Sequence, residues 1–171
     1  MAIREIVLYP NDILKHECSS VTEFDITLDT LIEDMAETMY AAPGAGLAAN
    51  QIGIDAKVCI VDISDHQEKC ELHVFVNPKI IRMEGEIEWQ EACLSFPDVS
   101  VNVTRSQQVT VEAQNAKGEF FTLEATGYFA VAIQHEIDHL NGISLADKMS
   151  FLRKKMMTKD LQKRKQMKKR F

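Results

Sequence analysis

The chain has 171 residues, 46% of them hydrophobic and 26% charged, and a formal net charge of −7. That is enough for one domain with an ample core, and no apolar run approaches the roughly 20 residues that span a bilayer, so a membrane-spanning helix is excluded. The charge is split: residues 153–171 hold ten Lys/Arg and one acid, Asp160, whereas the preceding 152 residues hold nine Lys/Arg and 25 Asp/Glu, a balance of −16. An acidic body therefore ends in a basic tail.

Residues 3–9 read as a short first strand, stopped by Pro10-Asn11-Asp12. From about Asp25 to Ala42, the residues Leu28, Leu31, Ile32, Met35 and Met39 recur at helical spacing, with Asp25 as N-cap and Pro43-Gly44 as the stop. The stretch 44–51 is glycine-rich and predicts a loop or bend. Residues 57–63 and 73–77 are apolar, β-branched runs that predict strands, and 80–91 predict a longer one with a bulge or turn at Gly85. Val109, Val111 and Ala113 alternate with polar residues, as do Phe121, Leu123 and Ala125; Asn115-Ala116-Lys117-Gly118 between them predicts a hairpin turn. Residues 128–140 predict a helix that is apolar nearly all round, through Phe129, Val131, Ala132 and Ile133, and is therefore buried; Asn141-Gly142 ends it. A last helix begins near Ser150 and carries the basic tail.

The buried helix contains His135-Glu136-Ile137-Asp138-His139. Positions i and i+4 share one face, so both imidazoles can reach one metal ion, and Glu136 beside them is free to handle protons. This is the pattern of metal hydrolases, in which the ion activates a water and the glutamate acts as general base. Such a site takes three protein ligands and keeps one position for water. Cys93, Glu91, Asp138 and His73 are candidates for the third. Cys93 stands out because it ends a strand, precedes Pro97 and offers a thiolate suited to zinc or ferrous iron. The expected architecture is α+β: antiparallel β-sheets packed around a central metal-binding α-helix, with an N-terminal helix and a C-terminal helix.

Three segments, Gly44-Ala45-Gly46-Leu47-Ala48-Ala49-Asn50-Gln51, Glu91-Ala92-Cys93-Leu94-Ser95 and Gln134-His135-Glu136-Ile137-Asp138-His139-Leu140, together resemble the three motifs of the peptide deformylases, in order and at suitable distances. The likeness runs from the opening strand to the last helix. It implies a deformylase-like catalytic domain over residues 1–150, with 151–171 as a basic helical extension of the same domain. It implies a hydrolase that removes the formyl group from the N-terminal formyl-methionine of newly made polypeptides. Carried over, Cys93, His135 and His139 bind one divalent metal ion, Fe2+ in the family, with Zn2+, Ni2+ or Co2+ as alternatives. Glu136 is the general base. The Gln51 side chain and the backbone N–H of Leu94 donate to the oxyanion, each such donor being worth roughly 3–4 kcal/mol of barrier. Gly44, Ala45 and Gly46 flank an extended substrate, because a missing Cβ permits close backbone approach. Phe129, Ala132 and His135, with Ala45 and Leu94 nearby, line the methionine slot. The chain departs from the family in three places: Ala45 where isoleucine is usual, Ala92 where glycine is frequent, and Phe96-Pro97-Asp98-Val99-Ser100 where many members carry an arginine.

Two other functions share part of this pattern. A zinc peptidase draws its third ligand from a downstream Glu or His, but no histidine follows His139 and the downstream acids are Asp147 and Asp160. An RNA-binding module with a structural metal would close the site with a fourth protein ligand and leave Glu136 and Gln51 without a role. Elsewhere, Cys59 reads as a buried small hydrophobe, His16, His66 and His73 as surface or strand histidines, and Trp89 as a packing residue. Glu91 and Arg105 are expected to pair and brace the cysteine loop. The four cysteines lack C-x-x-C spacing, and no basic-then-apolar segment opens the chain, so reduced thiols and a cytoplasmic location are expected. The basic tail has two readings: a solvated helix end, or a docking element for ribosomal RNA near the nascent-chain exit. Neither membrane nor DNA is an expected partner.

Overall fold

Asp25 opens the first helix as predicted: its side chain accepts from Thr27 N at 3.0 Å, and α1 covers Ile26–Ala41. The computed structural model describes residues 2–65 and 67–170, so the expectation for His66 lies outside it. Among the described residues seven strands follow: β1 (Gly46–Ala48), β2 (Val58–Val61), β3 (His73–Glu84), β4 (Ile87–Cys93), β5 (Phe96–Arg105), β6 (Gln108–Gln114) and β7 (Phe120–Thr126). Helices α2 (Gly127–Leu140) and α3 (Phe151–Arg170) come after the strands. Five strands form an antiparallel sheet in the order β1-β2-β3-β6-β7, and β4 and β5 form a separate antiparallel hairpin.

β2 shows why this sheet sits between two helices. Val58 and Ile60 join the cluster built on Leu28, Ile32, Met35 and Met39 of α1. Cys59 and Val61 join the cluster built on Ala130, Ile133, Ile137 and Leu140 of α2. All four strand residues are buried, the pattern of a strand covered on both faces. A third cluster places Met157 and Leu161 of α3 against Tyr9, Leu14 and, on β5, Phe96, Val101 and Val103. The hairpin that bears Cys93 is therefore backed by α3. Behind α2 the chain turns sharply at Gly142 (φ +75°), where a Cβ would meet Lys15 O at 2.8 Å. Among the described residues, no helix is long and apolar enough to cross a membrane.

Two expectations are corrected, and one strand goes beyond them. Residues 3–9 form no strand; their backbone makes isolated bonds, Val7 N to Gln51 O (2.7 Å) and Tyr9 N to Ser95 O (3.0 Å), which staple two motif loops together. The stretch 44–51 is not simply a loop. Gly46–Ala48 pairs with Val61–Cys59 as β1, and Ala49–Ile52 makes a 3-10 turn. β5 was not expected as a strand, because Pro97 and Asp98 at its start obscure the alternation of Val99, Val101 and Val103.

Asp62, just past β2, ties this framework to the first motif by donating its N–H to Ala45 O at 2.9 Å. Its carboxylate accepts from Tyr40 Oη (2.6 Å), Ser64 N (2.9 Å) and Glu71 N (3.0 Å). Burial pushes this carboxyl up; the hydrogen bonds from Ser64, Tyr40 and Glu71 outweigh burial and hold it at about 2. The folded state thus prefers the ionised form, so the contribution is complete above the unfolded pKa of roughly 4 and is lost as pH falls toward the folded value. Asp62→Asn is expected to be about 1–2 kcal/mol less stable than the parent at neutral pH. Urea midpoints measured down the acid range check this: the gap should close on acidification, and a constant gap would remove the assignment.

Candidate active site

β4 ends at Cys93, and Leu94-Ser95 turn the chain into β5. The hairpin register slips between Ala92 and Cys93, a bulge that re-aims the thiol. His135 and His139 project from successive turns of α2. Cys93 Sγ lies 3.2 Å from His139 Nε2, which lies 3.2 Å from His135 Nε2, and the three donor atoms all fall within 4.8 Å of one another. Donors held about 2.0–2.3 Å from one centre in a tetrahedron lie roughly 3.3–3.7 Å apart, so this spacing fits a single ion. A thiolate with two imidazoles suits zinc or ferrous iron. Burial holds His139 well below its ordinary pKa, which leaves the ring neutral with a lone pair to give.

The other candidates for the third ligand have different employment. Glu91 Oε1 bonds His135 Nδ1 at 2.8 Å and also accepts from Arg105 Nη2 at 2.9 Å, while its Oε2 accepts from Arg105 Nε at 2.8 Å. The expected Glu91–Arg105 pair is thus present and bidentate. Arg105 also reaches Asp138. His73 packs its ring against Phe129 at 4.8 Å. Burial pushes the Glu91 carboxyl up, but the hydrogen bonds from Arg105 and His135 hold it down at about 2. An ionised carboxylate on Nδ1 turns the His135 Nε2 lone pair toward Cys93 and His139, and partners of this kind tune metal affinity. Glu91→Ala is expected to weaken metal binding by about 10–100-fold, as read by titration against a competing chelator. Unchanged affinity would show that Glu91 serves only packing.

Gln51 is held from both ends. Its Oε1 accepts from Ala48 N at 2.9 Å, and its Nε2 donates to Ser95 Oγ at 3.1 Å and to Cys93 Sγ at 3.5 Å. Asn50, its neighbour, donates Nδ2 to His139 O at 2.7 Å and so ties the first motif to α2. Glu136 is 5% exposed, and its Oε2 has no hydrogen-bond partner among the described residues. Burial pushes this carboxyl up to about 7.

One cavity of about 760 Å³ joins these groups. Gly44, Ala45, Gly46, Gln51, Cys93 and Leu94 line it from the motif segments; Ala132, His135 and Glu136 line it from α2. Phe129 does not line it. The cavity face of α2 is instead Tyr128, Val131, Ala132, His135 and Glu136, and one residue of helix turns the side chain by about 100°, which sends Phe129 to His73. Trp89, read as packing, also lines the cavity. Counting back from His135 by the i−3, i−4, i−7 rule would have found Val131 and Tyr128; no local signal marks Trp89.

A family model described as polypeptide deformylase matches residues 3–155. The chain is 44% identical to a peptide deformylase of Aquifex aeolicus over 162 residues, covering 94% of this chain and 96% of that one. It is 45% identical to peptide deformylase 1 of Bacillus cereus over 150 residues, covering 88% and 94%. Among solved structures, a peptide deformylase from Legionella pneumophila superimposes with a TM-score of 0.90 at 41% identity, covering 99% of each chain. One from Ehrlichia chaffeensis in complex with actinonin gives 0.90 at 29% identity, covering 96% and 98%. Family, full-length relatives and fold agree with the cleft the three motifs build, and the chain belongs to the polypeptide deformylase family of enzymes.

Proposed function

We propose that this enzyme hydrolyses the formyl group from the N-terminal formyl-methionine of nascent polypeptides. The observation that carries the reading is a buried Glu136 sharing one cavity with Gln51, Cys93 and His135, the last two forming one donor cluster with His139. Fe2+ is the proposed native ion, and the same donors suit Zn2+, Ni2+ or Co2+. A divalent ion bound there would lower the pKa of a water and polarise the formyl oxygen. Glu136 takes the proton of the attacking water and passes it to the leaving nitrogen as the C–N bond breaks, giving formate and a free amine. Gln51 Nε2 and the Leu94 N–H donate to the oxygen on which charge develops. Gly44, Ala45 and Gly46 let the substrate backbone run close beside β1, which demands little of the substrate's sequence. Ala132 and His135 help to form the slot for the methionine side chain.

Protein prepared without oxygen should release one formate per formyl-methionyl peptide and retain about one metal equivalent on elemental analysis. Actinonin should compete with the peptide. Peptide-bond cleavage without formate would overturn the reading in favour of a peptidase.

The basic residues of α3 favour a second contact. Residues 162–170 are all exposed, and the tail's ten Lys/Arg would bind ribosomal RNA phosphates in a salt-sensitive way. Co-sedimentation with ribosomes at low salt that persists after Lys163, Lys165, Lys168 and Lys169 are changed to Gln would sink this. All four cysteines are free thiols, which fits the cytoplasm as the proposed compartment.

A further inference from the structure

Gln51 and Ser95 come from different motif segments, and both are buried, at 1% and 0% exposure. One short stretch anchors the main chain of each: Val7 N donates to Gln51 O at 2.7 Å, and Tyr9 N donates to Ser95 O at 3.0 Å. Tyr9 is itself fixed, its ring stacked on Phe96 with centroids 4.9 Å apart. Between these anchors the two side chains meet. Ala48 N is a donor, so it faces the carboxamide oxygen of Gln51, at 2.9 Å, and turns the nitrogen the other way. That nitrogen, Nε2, reaches Ser95 Oγ at 3.1 Å and Cys93 Sγ at 3.5 Å. It carries two hydrogens and accepts nothing, so the serine hydroxyl accepts one of them. Gln51 and Cys93 line the cavity; Ser95 does not.

Resting on the reading of Gln51 as a donor to the oxyanion, we infer that Ser95 is a positioning residue: its hydroxyl takes the Gln51 hydrogen that points away from the cavity and so keeps the other aimed into it. That second hydrogen faces Cys93 across a long contact, which the substrate oxygen displaces as charge builds on it. A donor of this kind is effective only when it is oriented before the reaction, because turning it during the reaction would cost part of what it gives. The bond from Ala48 N fixes the carboxamide at its oxygen alone and leaves it free to rock about that point. The bond to Ser95 is the second point, and it stops the rocking. Both side chains are out of contact with bulk water, so removing the hydroxyl leaves a buried N–H without a partner. The carboxamide then turns toward the acceptor that remains, the sulfur of Cys93, and away from the substrate oxygen.

The test is a double-mutant cycle on the metal-loaded enzyme, read as formate release from a formyl-methionyl peptide. Gln51→Ala should lower kcat by about 10²–10³-fold, the usual loss for one such donor. Ser95→Ala should lower kcat by about 10-fold and leave KM within about 2-fold of the parent, since Ser95 touches no substrate. In the Gln51→Ala background the serine change should cost less than about 2-fold, because no carboxamide is left to orient. A merely structural role would give the same loss in both backgrounds. Parental kcat in Ser95→Ala, or an undiminished loss in the Gln51→Ala background, overturns the inference. A second measurement needs no variant. In zinc-loaded parent protein with isotope-labelled glutamine, one Gln51 side-chain hydrogen should exchange with solvent at least about 10-fold more slowly than those of the exposed Gln67. Fast exchange of both Gln51 hydrogens also overturns the inference. Parental kcat in Gln51→Ala would instead overturn the donor reading beneath it, and no formate from the parent would overturn the deformylase reading.

Discussion

Glu136→Gln is expected to lower kcat/KM for formate release by on the order of 10²–10⁴-fold while metal content stays at the parent level. Glutamine matches glutamate in shape, and this side chain is buried, so the change removes a proton acceptor and little else. The carboxyl is well suited to the task. Burial pushes it up to about 7, near the operating pH, where a base is both ionised and strong enough to matter. Activity should therefore rise with pH through its ionisation. A cation held by Cys93, His135 and His139 would draw that limb toward lower pH, because it favours the carboxylate. The glutamine variant should lose the limb altogether. Residual activity above roughly a tenth of the parent, with the metal retained, would exclude Glu136 as the base and leave water or another group to carry the proton.

How much of this was visible beforehand depends on whether the signal is local. α1 and α2 were legible because their apolar residues repeat at helical spacing and their ends carry a cap or a stop, Asp25 for one and Asn141-Gly142 for the other. The β6–β7 hairpin was legible for the same kind of reason: two alternating runs around a turn at Asn115–Gly118. Where partners are distant, the local reading failed. The apolar run near the N-terminus has strand composition but meets only two isolated carbonyls, from Gln51 and Ser95. Gly46–Ala48 has poor strand composition and becomes a strand because β2 offers it an edge. The histidine pair is legible as chemistry because both rings lie on one helix. Cys93 could be nominated but not joined to them without the resemblance, since no spacing rule connects a strand end to a helix 42 residues later. Gln51 alone would have passed for a turn residue. The Trp89–Tyr128 contact had no precursor in the sequence, and Phe129, which the resemblance puts in the slot, packs against His73 instead.

Gly46→Ala is expected to reduce kcat by about 10²-fold while leaving the melting behaviour close to that of the parent. A Cβ at this position would lie 2.6 Å from Glu136 Oε1 and 2.9 Å from its Cδ and Cγ. Glu136 is packed against the glycine along its whole end, so there is no flexible tip to swing aside, and the carboxylate must move as a unit. A displacement of about 1 Å at a reacting group is enough for a loss of that size. Stability should suffer little: Gly46 lies in a strand, where alanine adopts the backbone readily and also restricts the unfolded chain. Gly44→Ala is the internal comparison. Its Cβ would meet Leu94 Cδ1 at 2.8 Å, but that atom is the end of a mobile side chain and can rotate away. Two glycines two positions apart should thus respond differently, Gly46 through the general base and Gly44 through little more than the shape of the cleft. Equal and mild effects in both would mean that Glu136 has room to relax, and would separate the first motif's glycines from the placement of the base.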